Sequence, residues 1–530
     1  MVNIMKKFLA ILLALALVVT CFAACGSDTG SSSAAGESST GTSSAAEDGS
    51  SATEEETSTD NGDLPTITLM IVCGTTPPDA DAVASALSEI TAEKIGCNVE
   101  FITMEVGNAK QQMNLLLSGG DNTLDVFWAD NGGTSVSFVT AAANGQALVL
   151  DELLEPYADE MKEALGENVY TSGTVNGEMY GVGRLLDQAS TTMFNLRADI
   201  AEEFGYANGD KLSGLDELTE LFTKIHEKYP DTPIIGPMNG SINWGDTRVD
   251  NLGDSNMLGV LGNFGQDDTV SNYYESDEYA ERIECVKTWM EMGIYMPDLM
   301  NTTEAPSDYM PAGKAFGCFA GHFSAEMNGI WSSQNFGVET ATLQVYDDAV
   351  AVTPGAYYCI NPNTKNPEEC AGLLYLMATD PDVVNLLVNG VEGLDYQVLE
   401  DEDNGGSYAA YLEGKDVSST GWCMGYSWTA LNSSISLPFE YPSNYFDLML
   451  EANSSAQQSK AFGCQFDSTE YADALTACTN VVSQYSNPIL SGTVQDVDAT
   501  VAQFQQALKD AGIDEIIAGK QAQLDAFLGK

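Results

Sequence analysis

The side chains that could do chemistry are unevenly represented in this sequence. The 530 residues include only two histidines, His226 and His322, against 78 acidic residues. The sequence contains no H-E-x-x-H zinc motif, no G-x-S-x-G nucleophile elbow and no G-x-x-x-x-G-K-[ST] phosphate loop. The stretch from Asp401 to Glu413 is similar to a calcium loop, but its closing glutamate comes one position late, which favours an acidic turn. We therefore predict no catalytic residue, no metal ligand and no cofactor. Of the two histidines, only His322 is a candidate for lining a cleft.

Tryptophans carry more information than these groups. Five of the six stand near Gly, Asn, Asp or Ser. In such surroundings an indole can stack on the C–H face of a sugar while carboxylates and amides bind the hydroxyls. The predicted ligand-binding residues are Trp128, Asp130, Trp244, Trp331, Tyr396 and Trp428. For each tryptophan, packing that anchors a loop is the alternative, and the sequence leaves both open.

Strands and helices alternate in the part of the chain that carries Trp128. Apolar runs predict strands at 67–72, 99–104 and 124–128, and helical spacing predicts helices at 81–94, 109–117 and 136–144. This alternation is typical of an α/β lobe with a mostly parallel sheet, whose ligands lie beyond the carboxyl ends of the strands. Residues 128–131 occupy such an end. Further helices are predicted at 215–228, 278–292, 367–378, 471–484, 499–511 and 514–528.

The N-terminus has the features of a secretion signal. Lys6 and Lys7 precede an apolar run at 8–19, which is too short to span a bilayer. The stretch Phe22-Ala23-Ala24-Cys25 resembles the lipobox of bacterial lipoproteins, although Phe22 stands where Leu is usual. We therefore predict a signal peptide at 1–24 and lipidation of Cys25; ordinary secretory cleavage with a bystander cysteine is the alternative. This places the protein in the cell envelope, anchored to the outer face of the cytoplasmic membrane.

The composition bounds the remaining possibilities. Residues 26–62 are Ser, Thr, Gly, Ala, Asn and acid, so 25–63 is predicted to be a disordered linker. The body beyond it exceeds one ordinary core, which predicts two lobes. A formal net charge of −58 excludes nucleic acid as a partner. The eleven cysteines show no C-x-x-C and no zinc spacing, so those of the body are expected to be mostly free, buried thiols.

Six short stretches, in order, resemble one protein family. They are 79–99, 112–126, Asn176-Gly177-Glu178-Met179-Tyr180-Gly181-Val182, the helix start at 361–371, Gly390 to Tyr396, and 511–528. Together they are similar to the extracellular solute-binding proteins of carbohydrate-type ABC transporters, in the group with a characteristic C-terminal region. The third stretch departs from the family pattern at Gly183, where proline is usual.

The resemblance implies a two-lobe, periplasmic-binding-protein-like α/β fold of type 2, with a ligand cleft between the lobes. Lobe one is predicted to comprise 64–185 plus 321–390, and lobe two 186–320 plus 391–530. The implied function is to capture a small solute, with sugar or oligosaccharide favoured, and to deliver it to the permease subunits of an ABC importer. We expect a monomer. A peptide-binding transport lipoprotein, an envelope-anchored glycosidase and an adhesion module stay open as alternatives.

Overall fold

The computed structural model describes most of the body of the chain. The described residues are 64–530 apart from 119–123, 132, 239–240, 243, 347–348, 417 and 423–428. They belong to one compact unit. The predicted signal peptide at 1–24, the linker at 25–63 with Cys25, and Trp428 lie outside the described residues.

The elements follow one another in mixed α/β order. The strands are β1 (Thr66–Cys73), β2 (Asn98–Glu105), β3 (Val126–Asp130), β4 (Thr174–Val175), β5 (Glu178–Met179), β6 (Val182–Gly183), β7 (Ala189–Arg197), β8 (Val260–Leu261), β9 (Val270–Ser271), β10 (Gly317–His322), β11 (Thr340–Gln344), β12 (Val350–Ala351), β13 (Ala356–Ile360), β14 (Tyr396–Asp401), β15 (Gly406–Tyr411) and β16 (Gln457–Gln458). The helices are α1 (Ala80–Ile95), α2 (Ala109–Ser118), α3 (Phe138–Ala143), α4 (Asp151–Leu154), α5 (Ala158–Leu165), α6 (Glu167–Thr171), α7 (Ala198–Glu203), α8 (Leu215–Lys228), α9 (Asp277–Met292), α10 (Pro306–Tyr309), α11 (Ala325–Phe336), α12 (Pro367–Thr379), α13 (Pro381–Asn389), α14 (Tyr445–Ser455), α15 (Ala472–Leu490), α16 (Val497–Asp510) and α17 (Ile513–Phe527).

Lobe one is built on a five-stranded sheet in the order β2-β1-β3-β13-β6. Strands β1, β2 and β3 are parallel, and β13 is antiparallel to β3. Residues 69–73 of β1 are all buried, because helices cover both faces of a parallel sheet and every side chain of a central strand then faces a core. The sheet therefore directs the carboxyl end of β3, at Asp130, toward one edge of the lobe.

Lobe two surrounds a second hydrophobic core. Its main sheet runs β10-β7-β12-β16, with β11 also paired to β7. Aromatic rings fill this core: Phe194 lies 4.8 Å from Phe222 and 5.1 Å from Phe319 between ring centroids. Cys478, Phe504 and other residues of the C-terminal helices pack into the same core.

The packing corrects two predicted lobe boundaries. The chain returns to the first sheet only at β13, because β10 and β11 both pair with β7 in lobe two, so residues 321–355 do not belong to lobe one. After α13 the chain stays in the first core, which contains Tyr396, Trp422 and Leu431. Residues 391–437 were therefore wrongly assigned to lobe two. The crossings lie near 184–189, 345–356 and 437–449.

The described cysteines are free thiols, and all of them except the half-buried Cys464 are buried. Among the described residues, no single helix is both long and apolar enough to cross a membrane, and only the pair α12 and α13, bent by 84°, passes on length and composition. The stretch that is similar to a calcium loop forms the turn between β14 and β15, as predicted. There the Asp401 carboxylate accepts a hydrogen bond from the backbone N–H of Asn404 at 3.2 Å.

Candidate functional site: a cleft between the lobes

Two adjoining cavities lie between residues of the two lobes. The first, which we call the Asn131 cavity, has a volume of about 280 Å³. The second, the Tyr471 cavity, has a volume of about 870 Å³, and Cys464 and Gln465 line both. The Asn131 cavity is lined by Asn131, Gly133, Ser137, Val139, residues 250–256, residues 352–355, Ala461, Cys464, Gln465, Phe466, Ser468 and Leu475.

The end of β3 forms one wall through a tight turn. The Asp130 carboxylate accepts hydrogen bonds from the backbone N–H groups of Gly133 at 2.9 Å and Ser135 at 3.3 Å. Burial raises the pKa of Asp130, while these backbone hydrogen bonds oppose the rise. The carboxylate thus shapes the turn, and the next residue, Asn131, is the one that lines the cavity.

Gln465 joins the wall of lobe one to the C-terminal region. Its Oε1 accepts a hydrogen bond from Asn131 Nδ2 at 3.2 Å. Its Nε2 donates to the backbone oxygen of Ser172 at 3.0 Å and to the hydroxyl of Tyr357 at 2.5 Å. This single amide therefore bridges a strand end and a helix end of lobe one at the boundary of the two cavities.

Residues 250–259 form the facing wall, which we call the Asp254 loop. Leu252 and Met257 adopt left-handed backbone conformations, with φ of 53° and 56°. The Asp254 carboxylate accepts hydrogen bonds from the backbone N–H groups of Asn256 at 2.9 Å and Leu258 at 3.2 Å. The loop thereby presents its amides, carboxylates and hydroxyls to the cavity.

The structure does not bring together the four predicted aromatic residues that it describes, Trp128, Trp244, Trp331 and Tyr396. Trp128 is 8% exposed on β3, and Trp244 is 5% exposed, stacked on Phe319 at 4.7 Å inside the core of lobe two. Trp331 packs against Phe336, and the Tyr396 hydroxyl accepts a hydrogen bond from Asn385 at 2.6 Å. Stacking on a sugar would require these side chains to become uncovered.

His322 is also absent from the described lining of both cavities. It packs against Phe323 at 4.5 Å, and burial lowers its pKa to about 4. Sequence reasoning reached Asn131 as part of a strand end, but it missed Gln465, which lies 334 residues away and has no distinctive neighbours in sequence.

Two further acidic groups have raised pKa values. Burial, reinforced by the nearby Asp79 carboxylate, raises the pKa of Asp395 to about 6. Asp187 touches solvent, but the protein around it removes enough water to raise its pKa to about 6. Asp187 lines a separate cavity of about 80 Å³ with Tyr441 and Tyr445, which has room for a few water molecules and none for a sugar ring.

A comparison with known families accounts for this arrangement. Residues 85–391, more than half of the chain, match the family model described as bacterial extracellular solute-binding protein. The chain belongs to this family. Residues 460–529, which supply Gln465 and Phe466 to the cleft, match a domain of unknown function (DUF3502).

Individual relatives agree with the family. A carbohydrate ABC transporter substrate-binding protein of Streptococcus pneumoniae is 24% identical over 88% of this chain and 92% of its own length. The crystal structure of the N-glycan transport solute binding protein NgtS from the same species superposes with a TM-score of 0.72 at 21% identity, covering 88% of this chain and 99% of that one. Its complex with Man1GlcNAc gives a TM-score of 0.65 at 22% identity, with 88% and 100% covered. The two-lobe fold predicted from the sequence is confirmed.

Proposed function

We propose that this solute-binding protein captures a sugar or oligosaccharide outside the membrane and delivers it to the permease of an ABC importer. The observation that carries the proposal is the chemistry of the cleft. Asn131, Asn251, Asp254, Asn256 and Gln465 line the Asn131 cavity, and no Lys or Arg occurs among the described residues that line either cavity. Amides and carboxylates bind neutral hydroxyl groups, and the two volumes fall within or close to the range of small-molecule sites.

The same lining disfavours the alternatives. A peptide or other anionic solute would bring a carboxylate for which neither described lining offers a cation. A glycosidase would need a carboxylate pair facing the substrate. Two carboxylates, Asp250 and Asp254, line the Asn131 cavity, but their oxygens already accept backbone N–H groups of their own loop. The pair formed by Asp79 and Asp395 lies outside both cavities, with Asp395 buried to 3% exposure.

The finer parts of the assignment extend the proposal. Cys25 carries the lipid anchor, the linker at 25–63 lets the binding domain reach the permease, and the protein acts as a monomer. The stacking roles of Trp128, Trp244, Trp331, Tyr396 and Trp428, and the hydroxyl-binding role of Asp130, stay predictions. In the structure Asp130 already directs both carboxylate oxygens to its own turn, so Asn131 and Gln465 are the first choices for contact with ligand.

A thermal-shift screen tests the proposal. Residues 26–530, which contain the whole compact unit, are mixed with Man1GlcNAc, other mono- and oligosaccharides, and short peptides. A ligand that binds only the folded state at one hundred times its Kd stabilises that state by about 2.7 kcal/mol. At least one carbohydrate is expected to raise Tm. Stabilisation by peptides alone would contradict the proposal.

A substitution then tests whether the ligand contacts Asn131. Asn131→Ala is expected to weaken binding of the carbohydrate found in the screen by more than about tenfold, which is about 1.4 kcal/mol. The matched control is Asn335→Ala, which removes an exposed asparagine whose amide donates to the Trp331 carbonyl oxygen on α11. Calorimetry measures both Kd values, and equal values would remove Asn131 from the site.

A further inference from the structure

The C-terminal helices reach the back of the Asp254 loop through one buried lysine. Lys520, on α17, is 1% exposed. Its Nζ donates to the backbone oxygen of Gly259 at 3.0 Å and to Asp254 Oδ2 at 3.3 Å. Burial lowers the pKa of Lys520, while attraction to Asp254 and Asp250 opposes the fall. Because a buried charge is costly unless it is paired and hydrogen-bonded, this arrangement requires both partners to stay in place.

The carboxylate that meets Lys520 is the one that shapes the loop. Asp254 Oδ1 and Oδ2 accept the backbone N–H groups of Asn256 and Leu258. Asp254, Ser255 and Asn256 all line the Asn131 cavity. Lys520 thus lies one hydrogen bond away from the residues that face the ligand space, on the side opposite to that space.

The backbone of this loop needs external support. Left-handed conformations at non-glycine residues such as Leu252 and Met257 are strained and persist only where the surroundings hold them. The C-terminal region supplies further contacts to the following segment. Gln521 Oε1 accepts the backbone N–H of Val270 at 2.7 Å, and its Nε2 donates to the backbone oxygen of Asp268 at 3.2 Å.

We infer that Lys520 is a positioning residue for ligand binding, which fixes the Asp254 loop in its binding shape. The C-terminal domain of unknown function thereby acquires a role, which is to hold one wall of the cleft from behind. The effect on ligand affinity rests on the proposed function. The effect on the loop itself does not, because it follows from the contacts of Lys520 alone.

Hydrogen–deuterium exchange of the ligand-free protein provides the first test. Lys520→Met keeps an unbranched apolar side chain that ends at Cε, and removes the Nζ ammonium with its charge and both hydrogen bonds. The amides of Asn256 and Leu258 are expected to exchange at least tenfold faster, while those of β1 and β3 keep their protection. The control, Lys509→Met, removes an exposed ion pair of the same domain and is expected to leave the loop unchanged.

Ligand affinity provides the second test, with the carbohydrate identified by thermal shift as the probe. Lys520→Met is expected to weaken its binding by more than tenfold, and Lys509→Met by less than twofold. Asp254→Asn removes the same ion pair from the loop side. If Lys520→Met does not fold, the exchange rates of the loop amides in Asp254→Asn replace it, because Asp254 also lines the cavity and its Kd would include a direct effect. The double variant, Lys520→Met with Asp254→Asn, is expected to bind no more weakly than the worse single variant.

The outcomes separate the two claims. If Lys520→Met binds the probe with wild-type Kd and its loop amides exchange at wild-type rates, the positioning role is wrong. Faster exchange with unchanged Kd also overturns the role in binding. If the wild-type protein binds no carbohydrate, the proposed function fails, and the exchange measurement still decides whether Lys520 holds the loop.

Discussion

At the scale of single residues, the buried carboxyl group of Asp395 makes stability depend on pH. The pKa of Asp395 in the folded protein, about 6, lies above the value of about 3.9 for an unfolded chain. A proton is therefore held more tightly in the folded state. The resulting stabilisation is fully present below pH 4 and is lost as the pH rises through 6.

Asp395→Asn reproduces the protonated form at every pH. In the wild type the Asp395 carboxylate accepts the backbone N–H of Val391 at 2.8 Å. The asparagine oxygen can accept the same N–H, and its amide group can donate to Asp79. We expect this variant to be more stable than the wild type by roughly 1–3 kcal/mol at pH 7, and equally stable at pH 4.

Denaturant unfolding between pH 4 and 8 measures the difference. Asp403→Asn serves as the control, because it removes an exposed carboxylate in the turn between β14 and β15. A difference between Asp395→Asn and the wild type that does not change with pH would show that the pKa of Asp395 is not raised in the folded protein.

The sequence showed which residues lie near the cleft more often than it showed which of them face it. The sequence identified Trp128 and Asp130 at a strand end, but which of two neighbouring polar residues faces a cleft depends on how the turn satisfies its own amides. Trp244 lies beside Gly and Asp in sequence, yet its ring is stacked in a core. Truncating such a buried indole to alanine costs about 3–5 kcal/mol, so a binding effect there would be hard to separate from unfolding.

At the scale of elements, the sheet of lobe two depends on backbone that packs closely against Gly317 of β10. Gly317 pairs with Leu196 on β7, and its backbone also exchanges hydrogen bonds with Ile234 and Gly236 on its other side. A methyl group at Gly317 would overlap the backbone oxygen of Asn195. The strand can hold this position only while residue 317 has no side chain.

Gly317→Ala is therefore expected to destabilise the protein by about 1–3 kcal/mol or more, because backbone atoms would have to move apart. Gly107→Ala is the control, since a methyl group there would meet no atom within 4 Å. Urea unfolding measures both. Equal stability of the two variants would mean that the β7–β10 pair opens without strain.

Long, regular elements were the predictable ones. The strands β1 and β2 and the helix at 367–378 were found nearly to the residue. Burial of β1 on both faces, the apolar residues of the edge strand β2 and a proline at the helix start leave clear patterns. The short crossing strands β12 and β16 were not found. Each has two residues, and only pairing with distant chain segments defines it.

At the scale of the whole molecule, attachment to the membrane depends on a residue outside the described part of the chain. Cys25→Ala is expected to release the protein into the medium or to leave it unprocessed, because alanine has no thiol to which a lipid could be attached. Cell fractionation with antibody detection measures this. The control is Cys97→Ala, which removes a buried thiol of lobe one and is expected to leave attachment intact. Wild-type amounts of membrane-bound Cys25→Ala protein would contradict lipidation.

The lobe boundaries were the weakest part of the prediction at this scale. A sequence pattern shows that the chain forms strands, but it does not show which sheet a strand joins. Strands β10 and β11 join β7 because their side chains complete the core around Phe194 and Leu343. The return to lobe one is consequently delayed to β13.

The buried thiols make it possible to measure when each core of this protein opens. Cys73, Cys97, Cys359 and Cys370 are fully covered in lobe one, while Cys285, Cys318 and Cys478 are covered in lobe two. Burial raises the pKa of each, so none reacts as a thiolate until its surroundings open. The natural chain therefore carries buried cysteines in both lobes whose reactivity reports the local opening of each core. The order in which they react with a thiol reagent would give the order in which the two cores open.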